Sequence, residues 1–256
     1  MEYFSIEVLI TVVRESIEAA LIIGILLAYL SKTGNKTNKK DIWIGTVGAI
    51  ILTIISGIFL WTIYDLIPAT FLPYFEGSVM LVAAVILSTM IVWMYKHGRT
   101  LKSELEDRSE KALSTGNRLG LIAVPFISVL REGVETVLFL AALKADGASD
   151  LAIVSSTALG VVLAAAIAIL MFKSMINFNL RTFFNVTSVL LIGLAFFLLR
   201  TGIHEFQEVG ALFGESLMGI LLQVMVLAGY AIFLWQMYKK VNSDIQKMNT
   251  TTAIAA

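Results

Sequence analysis

The sequence predicts an all-α polytopic membrane protein with seven transmembrane helices. They form two inverted three-helix repeats plus a final helix, with the N-terminus outside and the C-terminus cytoplasmic. Three observations lead there. The 256 residues are 58% hydrophobic and only 15% charged, unlike a soluble domain. Seven apolar runs are long enough to cross a hydrocarbon core of roughly 30 Å, which takes about 20 helical residues. One charged pattern, R-E-x-x-E, occurs twice, inside the first and fourth runs.

The runs fall near 5–30, 42–64, 74–95, 119–143, 150–172, 183–203 and 216–238. The whole of 1–256 reads as one transmembrane domain: repeat one at about 5–95, a cytoplasmic loop at about 96–118, repeat two at about 119–203, and a last helix at about 216–238. The first run lacks a basic leader and a convincing small-residue cleavage site, so it is expected to be retained. The second, "IWIGTVGAIILTIISGIFLWTIY", is apolar on every face, which excludes the alternation of a membrane β-barrel. The loop "KHGRTLKSELEDRSEKALSTGNR" places Glu104 before Arg108 and Asp107 before Lys111 at i, i+4, the spacing of a solvated helix. Trp43, Tyr64, Tyr74, Trp93, Tyr95, Trp235 and Tyr238 lie near run ends and read as interface anchors. No phosphate-binding loop is present, "GNRLG" at 116–120 reads as helix packing, and no nucleic-acid partner is expected.

Net charge is zero, but the signs are sorted by loop. Fifteen basic residues follow the first, third, fifth and seventh runs, among them Lys32, Lys40, Arg99, Arg118, Lys173, Arg181, Lys240 and Lys247. Only Lys144 and Arg200 lie on the other side. The positive-inside rule gives the orientation stated above. The outer side gathers Glu2, Asp65, Asp146, Asp150, Glu205, Glu208 and Glu215, an acidic vestibule or ordinary loop polarity.

"TVVRESIEAALIIGIL" from Thr11 aligns without a gap to "SVLREGVETVLFLAAL" from Ser128. A charged residue at the centre of a membrane helix costs about 2.5–3.5 kcal/mol on insertion scales, so these groups need each other or a ligand. On a helix Arg14 neighbours Glu18, and Glu15 also neighbours Glu18; Arg131, Glu132 and Glu135 repeat this. The two motif helices run in opposite directions, as in an inverted repeat whose site lies near the midplane between halves. Four carboxylates against Arg14 and Arg131 leave a formal charge of minus two, which a cation would relieve. The competing structural account is a pair of salt bridges that merely lock two helices, but it leaves the extra glutamate in each copy unexplained.

With no cysteine and only His97 and His204, thiolate and imidazole sites are disfavoured. Met90, Met94, Met171 and Met175 read as packing. Oxygen ligands suit a hard cation, and iron(III), manganese(II), calcium and magnesium stay open on ligand type alone.

Two intramembrane R-E-x-x-E motifs in the first and fourth of seven runs resemble the high-affinity iron permeases, the oxidase-dependent iron transporters of fungi and bacteria. "FEG" at 75–77 and "GIHEFQEVG" at 202–210 are similar to further family signatures, so the resemblance covers nearly the whole chain. It implies that Glu15, Glu18, Glu132 and Glu135 bind iron during passage, with Arg14 and Arg131 as charge partners. It implies a multi-pass protein of the cell membrane that is not an enzyme, holds no permanent cofactor, and carries iron(III) as its transported substrate. Its partners would be the lipid bilayer and a separate extracytoplasmic ferroxidase or iron-delivery protein; a homo-oligomer is left open. The first copy departs from the family's glycine with Ser16, which bears on helix spacing rather than on the ligands.

Glu76, at the start of the third run, and His204, Glu205 and Glu208 are candidates for the outer mouth of a path; capping and an interfacial pair are the plainer roles. The alternatives in function are transport of another metal, lead or manganese, on the same scaffold, an intramembrane acid–base enzyme, or a purely structural subunit. The absence of an H-E-x-x-H pair weighs against the enzyme.

Overall fold

The computed structural model describes residues 3–97, 101–172, 180–210 and 216–254, without the side chains of 92–97, 180–186, 237–238 and 240–254. Glu2, Arg99, Lys173, Met175 and Glu215 therefore lie outside the described residues, as do the side chains of Trp93, Met94, Tyr95, His97, Arg181, Tyr238, Lys240 and Lys247.

Among the described residues the chain forms eight α-helices and no strand: α1 Ile6–Lys32, α2 Lys39–Leu66, α3 Leu72–His97, α4 Leu101–Ser114, α5 Arg118–Ala145, α6 Asp150–Phe172, α7 Leu180–Glu208 and α8 Leu217–Ile254. A 3-10 turn, Lys36–Asn38, leads into α2. Five segments, those of α2, α3, α6, α7 and α8, are long and apolar enough to cross a membrane. The motif helices α1 and α5 are as long, at 27 and 28 residues, but each carries the three charges of its motif, which removes them from a purely compositional reading.

Caps set the helix ends. The Ser5 hydroxyl accepts from the Val8 N–H at 3.2 Å to open α1, and the Asn117 side chain accepts from Gly120 N–H at 2.9 Å to open α5. Gly116 (φ 63°) and Gly147 (φ 97°) end α4 and α5 in the left-handed region. The N–H after each glycine returns to a carbonyl of the last turn, Asn117 to Ala112 and Ala148 to Leu143, which a side chain with a Cβ would strain.

Two compact units result, Met1–Leu72 with Thr100–Thr187, and Pro73–Arg99 with Ser188–Ala256. The first holds α1, α2, α4, α5 and α6. There α2 packs on α5, α1 packs on α6, and α1 also meets α5. Both closest pairs are parallel. Along α2 and α5, Gly45 meets Ile122, Gly48 lies by Phe126, Thr53 abuts Gly133 and Gly57 lies by Val137. Along α1 and α6, Ser5 N–H donates to the Ser156 hydroxyl at 3.0 Å, and further on Gly160 faces Leu9 and Val12. A Cβ on Gly45 would run into the Ile122 carbonyl, so this residue lets the two backbones approach.

The loop expected to hold a solvated helix contains α4, only 14 residues long. At 1.5 Å per residue it spans about 21 Å, too short for a bilayer core. Its Leu105 and Ala112 close an apolar cluster with Ile22, Leu26 and Leu30 of α1, Ile42 of α2 and Leu121 of α5. In the second unit α3 crosses α7 where Gly77 and Gly202 meet. A Cβ on Gly77 would stand 2.9 Å from the Gly202 carbonyl and 2.8 Å from the Phe206 ring. The "FEG" and "GIHEFQEVG" signatures thus face each other in packing.

Candidate metal centre

Helical periodicity alone brings each arginine onto its own glutamates, and the structure shows the same local arrangement twice. In α1, Arg14 Nη1 lies 2.6 Å from Glu15 Oε1 and Nη2 lies 2.8 Å from Glu18 Oε1. In α5, Arg131 donates to Glu132 Oε1, with Nε at 3.1 Å, and Nε lies 3.7 Å from Glu135 Oε1. Glu15, Glu18, Glu132 and Glu135 are all buried. A guanidinium fork that engages one oxygen of each carboxylate leaves the second oxygen unused.

The carboxylates of the two helices come together. Glu15, Glu132 and Glu135 each place a carboxylate oxygen within 4.8 Å of the others. Oε2 of all three is buried with no hydrogen-bond partner. A buried polar atom left unsatisfied costs about 1–3 kcal/mol, more when charged, and a cation among the three carboxylates would relieve that cost. Oxygen-only, anionic donors suit a hard metal ion. Glu18 lies outside this trio, held on Arg14, although its carboxylate is within electrostatic reach of Glu132 and Glu135.

The residues read as an outer mouth lie in the second unit. His204 Nε2 is 3.4 Å from Glu208 Oε1 at the end of α7, a half-exposed i, i+4 pair. Glu76, in the first turns of α3, and Glu205 are partly buried. Among the described residues these four form no cluster with metal-ligand spacing.

Sequence reasoning missed three features. Lys144, read only as an exception to the charge rule, is enclosed at the end of α5. Its Nζ lies 3.2 Å from Asp150 and 3.5 Å from Asp65, and 3.9 Å over the Trp61 ring with Tyr64 beside it. Two of the supposed vestibule acids are therefore spent on this lysine, and Tyr64 serves it as well. Asp146 lies in surroundings that oppose its charge: burial first, then the nearby Glu7, push its carboxyl above the ordinary aspartate range. Gln207, inside "GIHEFQEVG", is buried and donates Nε2 to the Gly219 carbonyl at 2.8 Å, tying α7 to α8. An aromatic-acidic grouping at helix ends was a legible signal for the lysine; nothing in the sequence marked the glutamine.

Residues 5–220 match the Iron permease FTR1 family. The chain is 34% identical over 200 residues to the "Ferrous iron permease EfeU" of Yersinia pestis, covering 77% of this chain and 70% of the relative. It is also 34% identical over 201 residues to the protein of that name from Escherichia coli O6:H1 (strain CFT073), covering 78% and 72%. No solved structure matches the chain significantly. With the profile spanning most of its length and both relatives covered over more than two thirds, this multi-pass membrane chain belongs to the Iron permease FTR1 family.

Proposed function

We propose that this protein passes iron across the cytoplasmic membrane as iron(III), through a site built from Glu15, Glu132 and Glu135 with Glu18 beside it. One observation carries the reading: three buried carboxylates from two separate helices converge within 4.8 Å, each with an oxygen that nothing else uses. Arg14 and Arg131 hold the carboxylates in place and offset part of their charge, so that the empty site can exist in an apolar surround. Iron(III), smaller and more highly charged than iron(II), gains more from such oxygens. The relatives named for ferrous iron fit a path in which iron(II) is the species offered outside. Carboxylates and guanidinium groups neither give nor take the electron, so its removal falls to a separate ferroxidase.

In this reading α1, α2, α3, α5, α6, α7 and α8 span the membrane with the N-terminus outside, and α4 lies on the cytoplasmic side. The cysteine-free sequence makes single-cysteine labelling from either side a direct check. Metal-specific uptake, wild type against Glu132→Gln, in a host or liposome without other iron importers tests the function. Iron uptake that persists in the variant overturns it, and uptake of manganese or lead in preference to iron reassigns the cargo.

A further inference from the structure

The repeat extends one turn beyond its charges. Thr11 precedes Arg14 by three residues and Ser128 precedes Arg131 by three, so each motif helix carries a hydroxyl at the same place. The two hydroxyls have different fates. Ser128 donates to the Val124 carbonyl at 2.9 Å, the back-bonding that Thr46, Ser56, Thr62 and Thr136 also show. Thr11 is 1% exposed and its Oγ1 has no partner.

Thr11, Glu15 and Glu18 stand at i, i+4 and i+7, on one buried face of α1. Helical side chains lean toward the N-terminus, which favours a Glu15 side chain reaching toward the turn that Thr11 occupies. Glu15 Oε2 and Thr11 Oγ1 are both buried, and each is without a hydrogen-bond partner. A buried polar atom left without a partner calls for a water or an ion that satisfies it.

We propose that Thr11 is a further residue of the metal site, its hydroxyl supplying a neutral oxygen to the cation held by Glu15, Glu132 and Glu135. The hydroxyl enlarges the coordination shell without adding negative charge, which fits a site that must also let the ion go. This rests on the carboxylate site proposed above.

The test is iron binding and uptake by the full chain in detergent and in liposomes, with ferric citrate as the probe, for Thr11→Val, Thr11→Ser, Ser128→Ala and Glu132→Gln. Valine matches the shape of threonine and removes only the hydroxyl. If the hydroxyl serves packing alone, Thr11→Val melts at or above the wild-type temperature and binds iron normally, which overturns the proposal. The expected result is an unchanged or raised melting temperature together with about tenfold weaker iron binding, restored by Thr11→Ser and absent in Ser128→Ala. An equal loss in Ser128→Ala assigns the effect to packing and also overturns it. Should Thr11→Val not reach the membrane, Thr11→Ala against Thr11→Ser reads the same contrast. Loss in Glu132→Gln with normal Thr11→Val sinks this inference alone, whereas normal binding by Glu132→Gln sinks the carboxylate site itself.

Discussion

In α1 the motif guanidinium is wholly enclosed, Arg14 being 0% exposed, whereas in α5 its counterpart Arg131 keeps 39% of its side-chain surface open. Both arginines hold the same two glutamates of their own helix, and both sets of carboxylates are buried. The small residue between the charges also differs. Gly133 of α5 sits hard against Thr53 of α2, while α1 carries Ser16 there and the α1–α6 contact takes its glycine from the other helix, at Gly160. One ion-pair geometry has thus been set in two surroundings. Copy one is a sealed charge group that must be neutralised from within; copy two has buried acids under an accessible base.

The largest consequence concerns the arginines. Removing Arg14, as in Arg14→Leu, strands buried carboxylates and is expected to destabilise by about 3–5 kcal/mol, the cost of breaking a buried pair. Arg131→Leu also strands two buried carboxylates, Glu132 and Glu135, but takes away a base that is itself less enclosed, and is expected to cost less than Arg14→Leu. Thermal melting in detergent compares them, and equal losses would erase the distinction between the copies.

Next come the carboxylates. Glu15→Gln, Glu132→Gln and Glu135→Gln are each expected to weaken iron binding by about tenfold or more. Glu18→Gln, outside the converging trio, is expected to affect binding less and stability more. A ranking with Glu18 first would mean that the ion sits nearer copy one.

Exchanging the motif's small residue is a milder probe. Gly133→Ser writes copy one's residue into copy two and drives a side chain into Thr53, at an expected cost of about 1–3 kcal/mol from overpacking. Thr53→Ala in the same chain should recover most of it. Ser16→Gly is expected to cost no more than about 1 kcal/mol, the ordinary penalty of glycine in a helix.

The smallest effect lies at the helix ends. Copy one's helix is capped by Thr33, copy two's by Asp146. Because burial and Glu7 raise the folded-state pKa of Asp146 above 3.8, its contribution to stability is full below the unfolded value and is lost as pH rises through the folded one. Asp146→Asn should therefore melt slightly higher than wild type at neutral pH, with the gain vanishing in acid. A melting curve across pH checks this, and the reverse slope would place Asp146 beside a base instead.

The pairing of each arginine with its own glutamates was legible in the sequence because neighbours one and four residues apart on a helix are fixed by its 3.6-residue period. The same period made the helix at α4 readable from Glu104, Asp107, Arg108 and Lys111. Long apolar runs likewise declared the helices themselves, since backbone polar groups in hydrocarbon must be satisfied within the segment. Helices that are apolar all round, however, do not say which side faces which neighbour. Only the tertiary structure decided that α1 lies parallel to α6 and α2 to α5, and that Lys144 binds Asp65 and Asp150. It alone showed Glu15 meeting Glu132 and Glu135 while Glu18 stays with Arg14. Those outcomes depend on helix rotation and crossing, set by contacts such as Gly45 on Ile122 and Gly133 on Thr53, between residues far apart in the chain.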